Sequence, residues 1–144
     1  MHSAKLMADF GPDLNIFGTV PWAAGDGAEK FAAVAHAAGK VSDSSFVRES
    51  YDAAALILLA MQKAGDPAEA AGAVMEVANA PGEKIYPGEL AKALQILKDG
   101  GDIDYVGGSD VELIASGESA GTYREFENRD GKFETVRRLT AEID

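Results

Sequence analysis

Catalysis needs groups that exchange protons, attack a carbon or phosphorus, or hold a metal, and this sequence is poor in them. It has no cysteine and two histidines, His2 and His36. A Ser-His-Asp set needs a histidine beside its nucleophile. His2 lies in the first residues, and His36 falls off the Phe31, Val34, Ala38 face of its own helical pattern, the position of a solvated side chain. Without cysteine there are no disulfides, thiolate metal sites or thiolate nucleophiles. Paired carboxylates can do acid–base work, and Asp99, Asp102, Asp104 and Asp110 stand close together. As a calcium loop the set fails, because that pattern needs Asp or Asn where Val106 stands and a closing Glu. The glycines of Gly100-Gly101 and Gly107-Gly108 lack phosphate-cradling spacing. The expectation is a protein without catalytic residues, metal or cofactor, and not an enzyme.

The aromatic residues are the remaining candidates for contact with a small molecule. Trp22, the single tryptophan, follows a strand-like segment closed by Pro21 and precedes a glycine-rich loop, where it lines a cleft or covers the loop. Phe46 opens an apolar helical stretch after the polar Ser42-Asp43-Ser44-Ser45 loop. It is a hydrophobic staple or a ligand wall, and spacing alone favours the staple. Tyr51, Tyr86 and Tyr105 read as packing residues with exposed hydroxyls.

The elements that position these residues follow from periodicity. Asp13 to Val20 alternates as a strand. Gly25-Asp26-Gly27 reads as a turn, and a helix from Ala28 turns Phe31, Val34, Ala35 and Ala38 to one side and stops at Gly39. The next helix, about 46–64, is apolar all round its middle from Ala53 to Met61, so it should be buried on most sides. Asp66-Pro67-Ala68-Glu69 has the capping residue and the N1 proline of another helix start. Its stripe is Ala70, Val74, Val77 and Ala78, and Ala80-Pro81-Gly82 ends it. A fourth helix after Pro87-Gly88-Glu89 points Leu90, Leu94 and Leu97 inward and stops at Gly100-Gly101. The remainder reads as β: Val111 to Ala115, Thr122 to Arg129 and Lys132 to Val136. Asp130-Gly131 is a two-residue hairpin turn that puts Phe126 and Phe133 on one face. The resulting outline is a strand at 13–22, a helical region at 28–100 and a β-meander with hairpin at 103–137, in which the early strand lacks an obvious neighbour and the apolar helix lacks a surface to lie on.

Composition sharpens that incompleteness. Of 144 residues, 26 are Ala and 16 Gly, whereas Leu, Ile, Val and Phe together number 32. Burial stabilises in proportion to apolar area, so the core is lean. The net charge of -11, with 13 Lys+Arg against 24 Asp+Glu and no local basic run, argues against nucleic acid and anionic membrane surfaces as partners. The longest apolar run is far below the roughly 20 residues needed to span a bilayer, and the segment from Met1 to Lys5 has no apolar signal core.

Three ordered stretches carry a family resemblance. Phe46-Val47-Arg48-Glu49-Ser50-Tyr51-Asp52-Ala53-Ala54, Tyr86-Pro87-Gly88-Glu89-Leu90-Ala91-Lys92-Ala93-Leu94 and Gly101-Asp102-Ile103-Asp104-Tyr105-Val106-Gly107-Gly108, with the Asp130-Gly131-Lys132 hairpin, are similar to the C-terminal part of periplasmic substrate-binding proteins of branched-chain amino acid ABC transporters. The resemblance runs from about Asp13 to Phe133. It implies an α/β chain with part of a type I periplasmic-binding-protein fold: a hinge strand, helices that pack on an N-terminal lobe, and a closing β-hairpin, together a single C-terminal segment over 1–144 of a two-lobed protein.

What the resemblance implies for function is non-catalytic capture of a branched-chain or related amino acid between two lobes, periplasmic location, and delivery to a membrane permease. Phe46 matches a position where the family often has an aromatic wall beside an apolar ligand, and Trp22 is a second candidate for ligand contact. In the family, earlier βα units contribute most contacts to the ligand's ammonium and carboxylate. The competing expectation is a self-associating α/β module, a homodimer through its apolar helix, that binds no ligand on its own.

Overall fold

The computed structural model describes residues 9, 11, 13, 15–40, 42, 45–115, 117–119 and 121–140. The elements are β1 (Phe17–Pro21), α1 (Asp26–Ala37), α2 (Val47–Ala64), a 3-10 turn (Pro67–Glu69), α3 (Ala70–Ala78), β2 (Glu83–Ile85), α4 (Leu90–Lys98), β3 (Ile103–Tyr105), β4 (Thr122–Arg129) and β5 (Lys132–Thr140). The chain is mixed α/β, with a three-stranded sheet ordered β1-β4-β5 and a two-stranded sheet of β2 and β3.

The early strand has the neighbour that its sequence position concealed. β1 runs antiparallel to β4, with Gly18 opposite Phe126 and Val20 opposite Arg124. It begins at Phe17 rather than Asp13 and includes Pro21, which an edge strand tolerates because its outer side needs no donor. The ladder continues one residue further, where the Trp22 amide donates to the Thr122 carbonyl at 2.9 Å. Asp130 (φ 51) and Gly131 (φ 81) form the expected hairpin turn. Phe126 and Phe133 meet edge to face with centroids 5.0 Å apart, a contact worth about 0.5–1.5 kcal/mol beyond its buried area. β5 runs on past Val136 to Thr140, and the register shift between Glu125 and Phe126 leaves Val136 as the extra residue of a bulge.

The main core is built by helices on the small sheet. Leu59 and Ala60 of α2, Val77 and Ala78 of α3, Ala93 of α4, Ile85 of β2 and Ile103 of β3 are fully buried in one cluster. β2 and β3 pair in parallel, Glu83 opposite Ile103 and Ile85 opposite Tyr105, which requires the crossover that α4 makes. The periodicity reading placed β2 inside a helical region. Three residues bracketed by Gly82 and Pro87 are too short for a period-2 signal, and they become a strand by pairing with β3. The stretch Val111 to Ala115 is not a strand. It contributes Val111 to the core and makes one isolated bridge, Leu113 to Ser119, because the Asn79 side chain occupies the ladder groups of Leu113 at 2.7 and 2.9 Å.

Several helix boundaries and faces differ from the periodicity. α1 starts at Asp26, so Asp26 and Gly27 are helical and Gly25, at φ 83, is the cap. Gly27 sits so close to the Gly107 carbonyl that a Cβ there would collide with it. Ala38 is exposed, and the buried face of α1 is Gly27, Phe31 and Ala35. α2 is not buried all round. Asp52, Ala55, Leu56, Leu59 and Ala60 face inward, while Ala53, Ala54, Ile57 (58% exposed) and Leu58 (42% exposed) form an apolar outer face. The helical period decides this split, since the residue types are apolar on both sides. Asp66 caps the next turn as expected, accepting from the Ala68 amide at 2.9 Å, but the first turn is 3-10 and α3 follows at Ala70. Among the described residues no helix is long and apolar enough to cross a membrane.

Candidate functional site

The inward alternation of β1 and β4 sets one wall of a cavity. Val20 and Trp22 project from the β1 side, and Arg124, the partner of Val20 in the ladder, projects from β4. Ala28 and Ala32, on successive turns of α1, form a smooth opposite wall. The start of α2 closes the end with Phe46, Arg48 and Glu49. The enclosed space is about 320 Å³, at the small end of the range for small-molecule sites.

Trp22 and Phe46, the two candidates for ligand contact, therefore line the same cavity, although they are 24 positions apart in sequence. Trp22 is half-buried, and the Arg138 guanidinium lies 4.3 Å over its ring, a cation–π contact that holds the indole in place. Phe46 is 60% exposed, so it is not buried as a staple would be. Its backbone is left-handed (φ 66), a conformation that costs a non-glycine residue roughly 1 kcal/mol or more. Ser50 anchors it: both the Ser50 amide (3.0 Å) and hydroxyl (2.7 Å) donate to the Phe46 carbonyl.

Three charged residues complete the site. Arg48 donates from Nη1 to the Ala23 carbonyl at 3.4 Å, tying the first turn of α2 to the loop after β1. Glu49 also faces a second cavity of about 120 Å³, where Trp22 meets the hydroxyl-bearing Ser109, Thr122 and Tyr123. Arg124 pairs in register with Arg138, so tertiary structure gathers Arg48, Arg124 and Arg138 around Trp22 although the sequence shows no basic run. Sequence reasoning quoted Arg48 and Glu49 only as part of a motif and missed Arg124. The available signal was parity: Arg124 alternates with Phe126 and so shares its inward face.

A buried carboxylate fixes the loop that brings Ser109 to the second cavity. Asp52, 2% exposed, lies one helical turn beyond Arg48 and Glu49. It accepts hydrogen bonds from the Tyr105 hydroxyl (2.9 Å), the amides of Gly108 (2.9 Å) and Ser109 (2.8 Å), and the Ser109 hydroxyl. The expectation that Tyr105 exposes its hydroxyl is overturned. The residue is wholly buried, and burial, reinforced by the Asp52 charge, pushes its phenol well above the usual tyrosine value. Gly107 is required beside this pair because its φ is 62 and a Cβ would run into Asp52 and Tyr105. Tyr51 is half-buried, packs edge to face on Phe31 at 5.4 Å, and accepts from the Gly88 amide at 3.3 Å. Tyr86 lies under the Lys30 ammonium, 3.6 Å from its ring centre.

His36 is exposed on α1 and is not among the residues that line the cavity. His2 lies outside the described residues. Among the described residues no three His, Asp or Glu side chains are grouped to hold a metal ion.

No family model and no solved structure matches the chain. A 93-residue stretch is 33% identical to a substrate-binding protein. That relative is the chemotactic signal transduction system substrate-binding protein BasB of Halobacterium salinarum. The match covers 62% of this chain and 22% of the relative, so the chain spans about a fifth of the relative's length. The similarity is to part of a substrate-binding protein and indicates no ligand.

Proposed function

We propose that this chain is the C-terminal part of a type I periplasmic-binding-protein fold that captures a branched-chain or related amino acid without chemistry. The observation that carries this reading is the convergence of Trp22 and Phe46 on one cavity of about 320 Å³ together with Arg48, Glu49 and Arg124. Two aromatic walls match an apolar side chain, and a mixed set of charges matches a zwitterion. The likeness to part of a substrate-binding protein supports the same class. In this reading the ligand is closed between two lobes by hinge motion, the site is periplasmic, and the loaded protein meets a membrane permease or, as the relative's name suggests, a chemotactic signal transduction system.

Trp22 provides the test, because it is the single tryptophan and lines the cavity. Titration with leucine, isoleucine or valine should change its emission saturably, and Phe46→Ala should weaken the response. Unchanged emission together with a flat calorimetric titration for all three would remove the proposal.

A second reading is a self-associating module. The exposed apolar face of α2 around Ile57 and Leu58 favours it, since contiguous apolar surface of this kind marks contact sites. Sedimentation equilibrium separates the two: concentration-dependent dimerisation with no ligand response favours the module.

A further inference from the structure

Resting on the reading of this cavity as an amino-acid site, we propose that the ligand's charged headgroup is held by this chain's own side chains: Arg48 and Arg124 clamp the carboxylate and Glu49 takes the ammonium. The resemblance implied the opposite, with headgroup contacts supplied by earlier βα units.

The lining carries the argument. Among the described residues, Arg48, Glu49 and Arg124 are the charged side chains lining the cavity, two guanidinium groups and one carboxylate. They arrive on two separate elements: Arg48 and Glu49 from the first turn of α2, Arg124 from β4. A guanidinium offers paired donors in a planar fork that matches a carboxylate, whereas an aliphatic ligand tail gains nothing from it. Val20, Ala28 and Ala32 and the two aromatic rings supply the apolar surface for the tail.

The backbone around the headgroup position is braced. Arg48 is tied to the Ala23 carbonyl, Trp22 is stacked under Arg138, and Asp52, one turn along α2 from Glu49, pins the Gly108-Ser109 loop, whose Ser109 lines the neighbouring cavity with Trp22 and Glu49. Such bracing reduces the ordering cost of binding.

The chain's net charge of -11 opposes an incoming carboxylate at long range. Charges farther away than the Debye length, about 8 Å at physiological salt, are largely screened, so the guanidinium groups in direct contact decide the outcome.

The experiment uses the 144-residue chain, calorimetry and Trp22 emission, with three probes: leucine, leucinamide and 4-methylpentanoate. Leucinamide lacks the carboxylate and 4-methylpentanoate lacks the ammonium. Each is expected to bind roughly tenfold or more weakly than leucine. Arg124→Gln should weaken leucine toward the level of leucinamide while leaving leucinamide unchanged, the pattern of a direct pairwise interaction. Arg48→Gln gives the same comparison if the first variant does not fold. Leucinamide binding as tightly as leucine would overturn the clamp and leave the cavity reading intact. Absence of binding by all three probes, and by isoleucine and valine, would overturn both.

Discussion

The Tyr105 hydroxyl donates to the Asp52 carboxylate across 2.9 Å, joining β3 to α2 over 53 positions of sequence. Both residues are buried, and Asp52 receives further donors from Gly108 and Ser109, with no cationic partner among the described residues. A buried carboxylate is tolerable only when it is saturated with hydrogen bonds, and here the donors are neutral groups of one short loop. The pair therefore fixes that loop, and Ser109 with it, beneath the cavity wall formed by Trp22 and Glu49.

Replacing Asp52 should unfold the site from below. Asp52→Ala leaves the Tyr105 hydroxyl and the Gly108 and Ser109 donors without their acceptor, which should cost roughly 3 kcal/mol or more. Urea denaturation should show a lowered midpoint. A variant within about 0.5 kcal/mol of the parent would mean that water replaces the carboxylate without loss.

Tyr105 makes the fold sensitive to alkali. Its folded value is raised above the ordinary 10.0 by burial first and by Asp52 second. Its contribution is therefore complete below about pH 10 and is lost as pH rises beyond it, because the unfolded chain releases that proton first. Stability should fall by up to about 1.4 kcal/mol per pH unit above pH 10. Tyr105→Phe, compared with the parent by chemical denaturation between pH 9 and 11, should show a shallower decline. Equal slopes would remove Tyr105 as the cause.

The outer face of α2 should tolerate charge. Ile57→Lys with Leu58→Glu alters side chains that are 58% and 42% exposed and removes none of the buried set Leu56, Leu59 and Ala60. The expected change in stability of the monomer is within about 1 kcal/mol. If the parent self-associates through this face, light scattering should show the double variant shifted to monomer. A dimer of unchanged strength would place the contact elsewhere.

Salt should stabilise the chain. Eleven excess negative charges repel one another in the folded state, and salt screens that repulsion as the Debye length falls from about 30 Å at 0.01 M to about 3 Å at 1 M. The thermal midpoint, followed by circular dichroism, should rise by at least about 3 °C across that range. A falling midpoint would show that specific ion pairs such as Lys63–Asp102, at 2.7 Å, outweigh the general repulsion.

The helices and the hairpin were legible because their signals are local. Helical periodicity, the Asp66 cap and the Asp130-Gly131 turn are written within a few residues of where they act. β2 and the β1–β4 pairing were not, because a short strand acquires its identity from a partner about 20 or 105 positions away. The site divides the same way. Trp22 and Phe46 stood out as aromatics at element ends, while Arg124 and Asp52 have ordinary residue types and matter through what surrounds them.

By itself the sequence determined the helices and the hairpin, the net negative charge, the alanine-rich composition and the poverty of catalytic groups, since these depend on composition and short-range spacing. Only the tertiary structure decided that β1 has a neighbour, that α2 keeps an exposed apolar face, and that three arginines gather about Trp22 in a chain of net negative charge. The physical reason is that strand pairing and helix rotation are chosen by burial of the whole chain at once. Those choices fix which side chains share a cavity, and residue order leaves that open.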